Sequence, residues 1–97
     1  MKEQDKLNIE LGRAEHARQI LKNPLVVQAL HDMREGVFHN IRTSHFKDTA
    51  EREDLYKMIC AIDSFERIFK RHIESGTVAQ SRLEELKRIA KNVTNWR

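Results

Sequence analysis

Five histidines, one cysteine and several closely spaced carboxylates are the side chains of this 97-residue sequence that could do chemistry. Glu35 and His39 stand four residues apart, and Asp32 with Glu35 or His39 with Arg42 stand three apart, so each pair could share one helix face. Zinc asks for three or four ligands in a tetrahedron, and neither an HExxH motif nor paired cysteines complete such a set. Salt-bridged surface side chains explain these residues equally well, and the expectation is no metal and no cofactor. His72 falls on an apolar stripe and reads as a satisfied or interfacial imidazole. A nucleophilic thiol needs a cationic, accessible setting. Cys60 lies between Ile59 and Ala61, so it is expected to be a small buried hydrophobe. With no glycine-rich phosphate loop and no serine on a tight turn, no catalytic residue is assigned and no enzymatic activity is expected.

Charge is distributed unevenly. Residues 1–62 hold ten basic and ten acidic side chains, whereas residues 63–97 hold eight basic against five acidic and supply the whole net charge of +3. Arg67, Lys70, Arg71, Arg82, Lys87, Arg88 and Lys91 are the candidate contacts to phosphate or nucleic acid. The alternative is a solvated helix face in which Glu66 with Lys70, and Glu84 with Arg88, form i, i+4 pairs. Lys87, Arg88 and Lys91 form one polar arc that ends near Trp96 and Arg97.

The elements that must position these groups are helical, since every apolar pattern repeats at three or four residues. The first helix is expected over residues 7–22, with residues 1–6 flexible, and it stops at Asn23-Pro24. Asn23 then caps a second helix, with Pro24 at its first position, running to about residue 46. Gly36 inside it marks a bend or a close backbone approach. Asp48-Thr49-Ala50-Glu51 reads as a capping box that opens a third helix over residues 49–75. Gly76 is the expected C-terminal residue of that helix, and Thr77-Val78-Ala79-Gln80 reads as a second capping box. The expected fold is therefore all-α: three to four helices in one domain over residues 1–97, with an antiparallel αα-hairpin over residues 48–96. A charged share of 34% alongside 39% hydrophobic residues, with three glycines and one proline, does not describe a disordered tail. No apolar run approaches the ~20 residues of a membrane span, and no signal-peptide pattern opens the chain. One cysteine leaves no intrachain disulfide.

A helix over residues 49–75 would be ~40 Å long, and its apolar stripe follows it almost from end to end. Shorter neighbours do not cover it, so a homo-oligomer is expected, with Leu55, Met58, Ile62, Phe65, Phe69 and Ile73 at the interface. The alternative is an elongated bundle that closes on itself.

Two stretches carry a resemblance. Residues 14–25, from Ala14-Glu15-His16 to Asn23-Pro24-Leu25, with Ala29-Leu30 after them, resemble the opening of small helical proteins of tailed bacteriophages. Glu51-Arg52-Glu53-Asp54-Leu55-Tyr56, followed by Ile62, Phe65, Ile73, Gly76, Ala79 and Leu83, is similar to the paired helices of those proteins. The resemblance covers most of residues 14–86. It implies a place in head assembly or DNA packaging, as an oligomeric, small-terminase-like protein. Many small terminases carry an N-terminal helix-turn-helix. Here the first two helices are separated by Asn-Pro instead of a glycine-containing turn, which departs from that pattern.

The leading expectation is a non-enzymatic oligomeric phage protein whose repeated helical faces meet a packaging motor, portal or capsid protein. It would act in the cytoplasm of an infected bacterial host or in the virion, bind DNA weakly and without sequence preference, and not engage a membrane. The alternatives are an interaction protein that sequesters a host defence component or nucleotide signal, and a DNA-binding regulator.

Overall fold

The computed structural model describes residues 2–45 and 47–95. Among them the chain forms three helices and no strand: α1 (Glu3–Lys22), α2 (Pro24–Thr43) and α3 (Thr49–Asn95). Asn23 separates the first two as expected. Its backbone is extended (φ −64°, ψ 124°), and its side-chain Oδ1 accepts from the amides of Leu25 at 2.9 Å and Val26 at 3.4 Å. Pro24 follows at the first turn, where a missing N–H leaves no bond unmade. Asp48 caps α3 by accepting from the Glu51 amide at 3.0 Å.

The hairpin turn expected at Gly76 is not there. α3 is one helix of 47 residues that runs straight through Ser75-Gly76, and no glycine has a positive φ. The capping box at Thr77 is also not formed. The Thr77 hydroxyl instead donates back to the Ile73 carbonyl at 3.2 Å, the habit of threonine inside a helix. Gly76 serves a different purpose. A Cβ built on it would collide with the Cβ of Ala14 and lie 3.7 Å from the Ala14 Cα and the Glu10 carbonyl oxygen. The glycine permits contact between helices; it does not end one.

The chain divides into two compact units, Met1–Gln19 with Phe69–Arg97, and Ile20–Ile68. In the first, α1 and the later part of α3 run antiparallel, since Glu3 meets Arg82 while Ala14, further along α1, meets Gly76, earlier on α3. Small side chains make the approach close: Ala14, Ala17 and Ala79 are buried alongside Leu83. α1 begins at Glu3, ahead of the expected start at Leu7. In the second unit, α2 packs against the early part of α3 around buried Leu30, Val37 and Leu55. A short connection at residues 44–48 makes this pair the antiparallel hairpin of the fold. Gly36 is not at a close approach, since an added Cβ there would meet nothing within 4 Å. α2 ends at Thr43, with the Ser44 hydroxyl and amide both donating to the Ile41 carbonyl. The expected end of α2 at Phe46 lies outside the described residues, as do Trp96 and Arg97.

The glycines give a paired test. Gly12 has open space around it, so Gly12→Ala should stabilise the fold by up to about 1 kcal/mol through helix propensity alone. Gly76→Ala gains the same propensity but overpacks against Ala14, an effect that typically costs about 1–3 kcal/mol. Thermal unfolding followed by circular dichroism should therefore rise for the first variant and fall for the second. Equal shifts of the same sign would remove the Ala14 contact as the role of Gly76.

Candidate functional site

α3 carries two neighbouring apolar lines at steps of three and four residues, the first with one step of seven between Ile62 and Phe69. Leu55, Ile59, Ile62, Phe69 and Ile73 form one of them; Leu55 is buried and the others are half-buried. Met58, Ala61, Phe65 and Ile68 form the other, and it faces outward: Met58 is 52% exposed and Phe65 and Ile68 49% each. The interface expected from sequence mixed these lines. Leu55 is buried within a single chain, whereas Met58 and Phe65 are about half exposed.

Beside the exposed line, α2 and α3 enclose a groove of about 420 Å³. Met33 and Met58 stand in its walls with Ile62, Gly36 and Ala61 leave it space, and Asp32 is the charged residue lining it. Gly36 and Met58 each stand out in the sequence, but nothing there joins them, because pairing across two helices depends on register. A more open hollow lies along the first turns of α3, lined by Thr49, Arg52, Glu53, Tyr56 and Lys57.

An ion-pair cluster links α2 and α3 in the second unit. Arg34 on α2 donates to Glu66, and at 3.0 Å to Asp63, on α3. Those two hydrogen bonds, Glu66 foremost, raise the Arg34 pKa above its ordinary value. Nothing in the sequence marks this pairing, since 29 residues separate Arg34 from Asp63.

With no turn at residue 76, the basic residues are strung along one helix. On a continuous helix Arg82 lies about 18 Å along the axis from Lys70. Arg82 is also engaged: its guanidinium donates to Glu3 at 2.9 Å and pairs with Glu85 at 3.1 Å. Its pKa is raised by those bonds, and Glu3, hydrogen-bonded to it, is lowered from 4.5. Arg67, Lys70, Arg71, Lys87, Arg88 and Lys91 are all exposed. Cys60 is exposed as well, contrary to expectation. The run Met58-Ile59-Cys60-Ala61-Ile62 spans a full helical turn, so its hydrophobicity says nothing about which member faces inward. His72 is half-buried, and Glu35 and His39 are exposed.

Among the described residues no group of three or more His, Cys, Asp or Glu side chains is placed to hold a metal ion. No helix among them is long and apolar enough to cross a membrane. Comparison with known proteins finds no matching family, curated protein or solved structure.

The link between Glu3 and Arg82 makes a pH-dependent contribution. A lowered carboxyl pKa means stabilisation that is present above the unfolded value of 4.5 and lost as pH falls through the lower, folded value. NMR titration should place Glu3 below 4.5 in the native protein, and Arg82→Gln should return it toward that value. A Glu3 titration that ignores the substitution would dissolve the pair.

Proposed function

We propose that this chain is a non-enzymatic, self-associating helical adaptor, of the virion-assembly or DNA-packaging kind that residues 14–86 resemble. The observation that carries self-association is what the two units leave uncovered. Seven apolar side chains are buried among the described residues, and only Leu30, Val37, Leu55 and Leu83 of these are larger than alanine. Leu25, Met33, Phe38, Tyr56, Met58, Phe65 and Ile68 of the second unit are each more than 40% exposed, Leu25 the most at 80%. A pair of helices has one mutual face, and apolar area left over gains roughly 25 cal/mol per Å² when a further surface covers it. In a symmetric assembly the same faces recur on every subunit, which suits an adaptor that meets a large partner at several points.

A second reading, phosphate contact, is favoured by Lys87, Arg88 and Lys91. They are exposed, no carboxylate lies among residues 86–93, and the chemistry they offer is charge without base-reading amides. Binding of this kind is indifferent to sequence and falls steeply with salt.

Light scattering at micromolar concentration should give the native protein a mass of two or more chains, and Phe65→Asp should reduce it. A stable native monomer would refute self-association. For phosphate contact, charge reversal at Lys87 and Arg88 should abolish low-salt retardation of duplex DNA without changing helical circular dichroism. Retention of binding in that variant would move the contact elsewhere.

A further inference from the structure

The last turns of α3 outrun the helix packed beside them. α1 begins at Glu3, which meets Arg82, and every residue over 87–93 is exposed. This arm is amphipathic. Leu86, Ile89 and Val93 fall at i, i+3 and i+7, the spacing by which a helix anchors in an apolar groove. Ile89 is 47% exposed and Val93 69%. Lys87, Arg88 and Lys91 occupy the other side of the same turns, so the arm carries three positive charges and no negative one.

The groove between α2 and α3 has the complementary character. Its walls hold Met33 and Met58, unbranched side chains that adapt to what they receive. A Cβ added at Gly36 would meet nothing within 4 Å, so the space beside it is open to a visiting side chain. A volume of about 420 Å³ is well above the ~150 Å³ that takes up a benzene-sized group, which is room for two aliphatic side chains. Asp32 lines the groove, and the unit that bears it holds eight acidic side chains against seven basic ones. The unit with the groove thus carries a charge of the opposite sign to the arm, and Asp32 places one carboxylate in the groove wall.

We infer that residues 86–93 of one copy dock in the α2–α3 groove of a second copy, with Ile89 and Val93 entering between Met33 and Met58 beside Gly36. The inference rests on the self-association proposed above and names the surfaces that carry it. Arm and groove are different patches, so the contact is heterologous: it closes into a ring, or into a reciprocal pair, where geometry allows, and otherwise propagates.

The test uses the full chain with one defect per variant, Ile89→Asp in the arm and Met58→Lys in the groove. Both sites are exposed, and far-ultraviolet circular dichroism checks that each variant keeps its helix. Val93→Lys and Asp32→Arg serve as second variants of arm and groove should either first choice lose it. Each variant alone should associate at least tenfold more weakly than the native protein by light scattering. An equimolar mixture of arm and groove variants should regain a mass of at least two chains, since the sound arm of one fits the sound groove of the other. A native mass that survives both arm variants overturns the inference while leaving self-association standing. So does a mixture that stays monomeric, which would mean a face that pairs with itself. A monomeric native protein removes the proposed self-association and the docking together.

Discussion

Where Ala14 meets Gly76, two helix backbones lie so near each other that neither position has room for a larger side chain. Close packing of this kind replaces bulk with proximity: many weak dispersion contacts along two backbones do the work of a few large side chains. It also demands that α3 remain helical through residue 76, because a turn there would carry the glycine away from α1. An unbroken α3 gives its later part to α1 and its early part to α2, and it cannot fold back to cover itself. With no turn at residue 76, the second line of Met58, Ala61, Phe65 and Ile68 is exposed.

Local signals were legible in the sequence and long-range ones were not. Asn23-Pro24 and Asp48 act within four residues of themselves, and the structure places both caps where the letters put them. Gly76 reads the same whether it terminates a helix or admits a neighbour, and only Ala14 distinguishes the two. Thr77 likewise serves a cap or the turn behind it. The Arg34 cluster and the Glu3–Arg82 pair join residues distant in sequence, so no spacing rule reaches them.

The candidate site shows the same division. Periodicity locates the apolar stripe of α3 but merges its two lines, and only the character of its neighbours points Cys60 inward. Facing is decided by where the partner helix lies. The groove between Met33 and Met58 belongs to no single segment and exists only once α2 and α3 are in register.

The two units also differ in how far the chain must travel to close them. Arg34 and Asp63 are 29 residues apart, whereas Glu3 and Arg82 are 79 apart. Loop-closure entropy scales with the logarithm of that separation, which sets the α1 contact about 0.9 kcal/mol behind the α2 contact before any packing is counted. The α2–α3 pair therefore closes the shorter loop and has the lower entropic cost of the two. A growing polypeptide exposes the alanine face of α1 until Gly76 and Ala79 have been synthesised.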